Sequence, residues 1–360
     1  MSILGTIIFY LALCVLLVFL AWKVDTGTYK GWFVFSIILI LTLVAGLRHE
    51  TVGVDTAGYV DHLFTLQDGY VAKLNNISEQ GFIFLSYLLA TASSGYTLAL
   101  LVYALITNGL IILRLYDYKD KISFTWAVFI YYMAFYFATF NTMRQWIAMA
   151  LVFFATRYIG KSLIKFLIFV AMAVLTHTTA IFAVFFVPLY YLLLPSKSVK
   201  EIIRKIVMIL AVVVAVLAVY TTMTSKYSDY ILSDINGDVS WVNIMLVLFM
   251  LFILIYERDG KLTFKVGGPP EENVQMGMKL ELVIFFIAMG LTLLVFVTRY
   301  ADRIGQYFML FEMVCLPYYI KKEKTRYIAL AFTILLCLYL RIPSWMASGY
   351  GEVPYLPFWI

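Results

Sequence analysis

Charge is scarce in this chain. Only 13% of its 360 residues are Asp, Glu, Lys or Arg, against 63% that are hydrophobic. That leaves too little polar surface to cover a soluble globule, and a mean hydropathy of +0.92 points to a lipid bilayer. Cysteine is equally sparse. Cys14, Cys315 and Cys337 each sit inside an apolar run with no CxxC spacing, which argues against disulfides and thiolate metal sites. With three histidines and no His-x-x-x-His or outward DxD-like pair, nothing supplies a metal cage, so neither a metal nor a cofactor is expected. Short alternating segments are missing too, which excludes a β-barrel, because the apolar runs are long and continuous. The first run, Ile3 to Trp22, lacks a basic n-region and ends in Trp-Lys, so no cleavable signal peptide is expected.

What is present is an all-α polytopic membrane protein in a single integral membrane domain, residues 1–360. Apolar runs lie near 3–22, 31–47, 95–115, 123–139, 142–159, 164–177, 178–194, 206–222, 240–256, 280–297, 303–320 and 326–342. They predict about twelve crossings of a core ~30 Å thick. The stretch 80–93 is too short to cross and reads as a half-helix or re-entrant segment. The pI near 8.9 comes from loop cations and carries topology rather than nucleic-acid binding. One alternation of loops puts 20 of the 27 cations on the cytoplasmic side, including Lys30, Lys119, Lys321 and Arg326. Outer loops then cover 48–79 and 222–239, and a Gly/Pro-rich cytoplasmic connection covers 257–279.

Arg48, Arg144, Arg299 and Arg303 fall at span ends on the outer side, where cations should be scarce, so each needs a reason. The first outer loop runs Gly46-Leu47-Arg48 and then Val52-Gly53-Val54-Asp55-Thr56. It predicts a tight turn and a helix N-cap, with Tyr59 one helical turn beyond Asp55. A structural cap with an interfacial tyrosine explains this segment as well as a binding site does. Glu79 precedes Gln80-Gly81-Phe82 at the mouth of the half-helix, a place the helix dipole alone favours.

The segment Asn141-Thr142-Met143-Arg144-Gln145 opens a span. An arginine in the first turn adds positive charge to a positive dipole end, which suggests that an anion belongs there. His177, flanked by threonines, is either a hydrogen-bonded structural residue or a neutral imidazole able to accept a proton. In Arg299-Tyr300-Ala301-Asp302-Arg303, leading to Tyr307-Phe308, two guanidinium forks share a helix face. They match a phosphate or diphosphate, or else form an Arg–Asp–Arg salt-bridge cluster. Glu312 lies within the 303–320 run, and the aromatic run from Phe129 to Phe137 reads as an interfacial belt or as sugar-stacking rings.

Arginines, carboxylates, a histidine and tyrosines on one face describe a site for an anionic lipid head group. In this reading the arginines stabilise a departing diphosphate, as a metal would, and a carboxylate or His177 takes a proton from an attacking hydroxyl. These motifs, in order from about residue 40 to 310, resemble the EpsG-like, Wzy-type polysaccharide polymerases, with the last fifty residues adding little. The resemblance implies a membrane glycosyltransferase of GT-C-related architecture, akin to the O-antigen ligases. Such an enzyme would join undecaprenyl-diphosphate-linked repeat units into capsular polysaccharide, exopolysaccharide or O-antigen at the outer face of the bacterial cytoplasmic membrane. It carries Asp55, Glu79, Arg144, His177, Arg299 and Arg303 as catalytic positions. Arg48, Tyr59, Asn141, Gln145, Tyr300, Asp302 and Tyr307 would contact substrate, with either Asp55 or His177 as the base. A flippase and a chain-length regulator are implied partners. The alternative is a transporter of the same lipid-linked sugar, which would show polar residues along a path to the cytoplasm.

Overall fold

The computed structural model describes residues 1–68, 79–194, 241–257, 276–293 and 299–359, with isolated positions between 200 and 214. The outer loop 222–239 and residues 258–275 of the connection 257–279 lie outside the described residues, as does most of the expected span 206–222. Within the described residues the chain is helical, with one isolated β-bridge between Arg48 and Pro357. Among the described residues three helices are long and apolar enough to cross a membrane: Ile3–Thr26 (α1), Thr97–Asp117 (α5) and Arg326–Ala347 (α14). Shorter apolar helices accompany them, and the protein is a membrane protein.

The helices group into two compact units. The first holds α1, Lys30–Gly46 (α2), Thr56–Asp68 (α3), Gln80–Ala92 (α4), α5, Phe124–Ile130 (α6) and almost all of Met143–Ala155 (α7). It also takes the last turns of Leu163–Thr176 (α8), most of Glu312–Lys321 (α13), α14 and the C-terminal tail. The second holds the rest of α8 with Phe186–Leu193 (α9), Trp241–Glu257 (α10), Met276–Leu293 (α11) and Arg299–Met309 (α12).

In the first unit α2 packs tightly on α5 because Gly46 lacks a side chain. A Cβ there would sit 2.6 Å from the Leu101 Cα. The expected span 123–139 does not form one helix. After α6 the chain widens to a π-helical turn over Tyr131–Phe135 and tightens to a 3-10 turn over Tyr136–Phe140. Such a change of pitch strands carbonyl groups, which need partners away from water. Arg341 from α14 supplies them, its Nε donating to the Met133 carbonyl at 2.6 Å and Nη2 to that of Ala134 at 3.3 Å.

Arg341 also faces Glu352 at 3.5 Å, both fully buried. The Glu352 carboxylate accepts from the Ser344 hydroxyl at 3.0 Å and the Tyr350 amide at 2.8 Å. The aromatic run is therefore core rather than belt. Tyr131, Tyr132 and Tyr136 are buried, and their hydroxyls donate to Asn108 Oδ1, the Tyr10 carbonyl and the Leu41 carbonyl at 2.6–2.8 Å.

The 303–320 run is also interrupted. It breaks at Leu310-Phe311 into α12 and α13, so Glu312 opens a helix instead of lying inside one. Phe186 of α9 meets Phe308 edge-on, ring centres 4.9 Å apart.

Removing Arg341 leaves both Glu352 and the stranded carbonyls without their partner. Arg341→Ala is expected to cost about 3–5 kcal/mol, read as a lower unfolding temperature of the purified protein. An Arg341→Met/Glu352→Gln double variant should recover part of that loss, because no charge is then left buried alone.

Candidate active site

Several helix ends of the first unit gather around the first loop. Gly53 turns the chain with φ of +101°, and a Cβ there would lie 2.5 Å from Thr56 Oγ1 and 3.1 Å from the Phe140 carbonyl, so this turn requires glycine. Arg48, 2% exposed, threads the turn. Its Nε donates to the Val52 carbonyl at 3.1 Å and its Nη2 to the Phe140 carbonyl at 3.1 Å, while Nη1 reaches the Ala45 carbonyl. The guanidinium also stacks 4.6 Å from the Phe140 ring centre. Burial lowers its pKa to about 10, which leaves it protonated at neutral pH. Arg48, a substrate contact in the sequence reading, directs these donors at the protein's own backbone and holds the loop.

Asp55 and Asn141 are likewise engaged in positioning. Thr142 donates its amide to Asp55 Oδ2 at 3.2 Å, so an exposed carboxylate from the first loop caps the start of α7. Asn141 accepts the Asp55 amide at 3.2 Å and donates to the Tyr350 carbonyl at 3.0 Å, linking the loop to the C-terminal tail. The tail closes the arrangement through Gly53 to Gly351 at 2.8 Å, His49 to Leu356 at 2.8 Å and Phe358 to Leu47 at 2.9 Å. Gly351, at φ of +69°, passes so close that a Cβ would stand 2.8 Å from the Val54 nitrogen.

Against this frame stands a cluster of three charged or titratable side chains. Glu79 precedes α4 in the left-handed region, φ +64° and ψ +32°, a conformation that costs a non-glycine residue about 1–3 kcal/mol. One of its oxygens accepts from Arg144 Nη1 of α7, and the other lies 2.5 Å from His177 Nδ1 at the end of α8. Glu79 and His177 side chains are 12% and 14% exposed, whereas that of Arg144 is 46% exposed. A carboxylate can only accept, so Nδ1 carries the proton. In the neutral ring Nε2 then holds the lone pair. That nitrogen is buried and, among the described residues, has no hydrogen-bond partner.

Tyr59 completes the group. Its hydroxyl accepts the Arg144 amide at 3.4 Å, and its ring lies 5.9 Å from the Arg144 guanidinium. Burial raises its pKa, with the Arg144 charge opposing, so the phenol keeps its proton at neutral pH. Gln145 is buried behind Arg144.

Of the residues singled out in the sequence, Glu79, Arg144, His177 and Tyr59 meet, and Asp55 holds the backbone beneath them. Arg303 lies exposed on α12 of the second unit, and Tyr307 of the same helix is buried, 3.2 Å from the Thr179 hydroxyl. The side chains of Arg299, Tyr300 and Asp302 lie outside the described residues.

The sequence reading missed Gly81, Arg341 and the tail from Tyr350 to Phe358. Arg341 carried a signal, being a charge at the end of an outward-running span. Gly81 lets α4 approach the end of α8: a Cβ there would meet Leu175 Cβ at 2.8 Å and its carbonyl oxygen at 3.0 Å. Gly81→Ala should therefore push Glu79 away from His177 and lower stability by about 1–3 kcal/mol, measured by thermal unfolding. Gly95→Ala, where the added carbon meets nothing within 4 Å, is the matched control.

A sequence model described as the EpsG family matches residues 31–357. The match takes in the tail that closes over the first loop, so the last fifty residues contribute more than the motifs alone suggested. No curated protein and no solved structure matches the chain.

Proposed function

The chain belongs to the EpsG family, and from that premise we propose that it polymerises oligosaccharide repeat units carried on undecaprenyl diphosphate. Family membership supports a polysaccharide polymerase role broadly. The finer reading adds glycosyl transfer at the outer face of the cytoplasmic membrane, with lipid diphosphate as leaving group and capsular or exopolysaccharide as product. The observation that carries it is Glu79 bridging Arg144 and His177.

In this mechanism a hydroxyl of the incoming repeat unit attacks the anomeric carbon of the growing chain. A new carbon–oxygen bond forms as the bond to the diphosphate oxygen breaks, and the diphosphate leaves with the electron pair. His177 Nε2 takes the hydroxyl proton, with Glu79 holding the ring in the competent tautomer. Arg144 at the start of α7 stabilises the charge that develops on the diphosphate. The protonated Tyr59 phenol orients the same group. Asp55 is the second candidate for this role, its carboxylate already accepting the Thr142 amide. Arg299 and Arg303, four apart in sequence, are further phosphate contacts in this reading. About twelve crossings and a GT-C-related architecture belong to the same reading, with a flippase and a chain-length regulator as neighbours.

Purified protein supplied with its lipid-linked repeat unit is expected to make a ladder of lipid-linked oligomers. His177→Ala should slow it about 10²–10⁴-fold, and Arg144→Ala about 10²–10³-fold. Glu79→Gly should also lose activity, with relief of the left-handed backbone offsetting part of the stability lost with its two side-chain bonds. Movement of the lipid across vesicles without any ladder would overturn the polymerase reading in favour of a transporter.

A further inference from the structure

The end of the first unit opposite the Glu79 cluster holds a cavity of about 420 Å³. Its lining includes Asp25, Lys30, Lys119, Asp120, Lys321 and Arg326, contributed by the ends of α1, α2, α5, α13 and α14. These cations come from loops that the charge count assigns to the cytoplasm. The two carboxylates offset only two of the four cations. Asp25 is occupied in capping α6, accepting from the amides of Phe124 at 3.1 Å and Thr125 at 3.0 Å and from the Thr125 hydroxyl at 2.7 Å. Asp120 pairs with Lys119 at 3.5 Å and is itself largely exposed. Lys321 directs its ammonium at the carbonyls of Lys119, Asp120 and Ile122, at 2.9–3.3 Å, which fixes a positive charge at the cavity wall. Among the described residues no carboxylate pairs with Lys30, Lys321 or Arg326.

Directly beside this cavity runs an apolar groove of about 500 Å³ between α1 and α6, lined by Val15, Val18, Phe19, Trp22, Trp126 and Phe129. Trp126 belongs to both, so cavity and groove meet at its ring. Along α1 the groove extends from Cys14 to Trp22, about 12 Å at the helical rise. That is enough for the upper part of an acyl chain lying along the helix.

We propose that the cavity and groove together form a binding site for one anionic glycerophospholipid of the cytoplasmic leaflet. The phosphate head group sits against Lys30 and Arg326 in the field of Lys321, and one acyl chain lies in the groove along α1. A zwitterionic lipid brings its own cation into a cavity that already has an excess of them and is disfavoured. A soluble phosphate has nothing to place in the groove. The site rests on the membrane reading of the chain and is independent of the polymerase reading, since it lies at the other end of the unit from Glu79.

The test is native mass spectrometry of the full chain, delipidated in detergent and titrated with phosphatidylglycerol or phosphatidylcholine of matched chains. Phosphatidylglycerol is expected to form the more persistent single adduct, and the Lys30→Ala/Arg326→Ala double variant to weaken it about twenty- to thirtyfold, while Lys121→Ala leaves it unchanged. Val18→Trp, which fills the groove without touching a charge, should weaken it as well. Equal retention of the two lipids by the wild type, which needs no variant to interpret, would overturn the proposal. So would a double variant that melts normally and binds undiminished. Competition by glycerol phosphate as effective as by the lipid would overturn it in favour of a soluble-anion site.

Discussion

Two buried arginines allow an irregular backbone to exist inside this protein. The helix that would otherwise run from Phe124 to Phe140 changes pitch twice, and the carbonyls it strands have no water to turn to. Arg341 takes those of Met133 and Ala134, and Arg48 takes that of Phe140. Each also stacks on an aromatic ring of the same segment, Arg341 on Phe137 at 4.7 Å and Arg48 on Phe140 at 4.6 Å. A guanidinium suits this task because its donors are planar, numerous and permanently charged, and its weak hydration makes burial less costly than for an ammonium.

The candidate active site depends on that break. Because the 3-10 turn ends at Phe140, Asn141 and Thr142 can turn the chain and start α7 with Arg144 in its first turn. Asp55 caps that start, and Arg48 and Gly53 keep Asp55 in place. Glu79 then approaches from α4, which Gly81 brings against the end of α8. The strained backbone of Glu79 is held by its two side-chain partners, and a position held against its own preference is where a specific role is expected. The three side chains come from segments about 65 and 98 residues apart in sequence, so the cluster exists only in the folded chain.

The two ends of the first unit have opposite characters. One gathers the helix termini that carry Arg144, Glu79 and His177. The other gathers lysines from the ends of α2, α5 and α13 together with Arg326. Lys30, Lys119, Lys321 and Arg326, which counting loops assigns to one side, line one cavity of this unit.

The sequence by itself determined that the protein is helical and belongs in a membrane, because long apolar runs with few charges admit no other solution. It also determined which polar residues were out of place, since a charge at an outer span end stands out against an apolar background. The cluster is legible for that reason: Glu79, Arg144, His177 and Tyr59 all stand out in the sequence. What it could not separate was contact with substrate from contact with protein. Arg48, Asp55 and Asn141 have the same chemistry as a binding residue, and only the fold shows their hydrogen bonds directed at the Phe140, Thr142 and Tyr350 backbone. The broken helix was also invisible, because a π turn and a 3-10 turn have the same apolar composition as a regular span. The role of the C-terminal tail was decided by tertiary structure alone, since backbone hydrogen bonds between residues three hundred apart leave no mark on the side chains that make them.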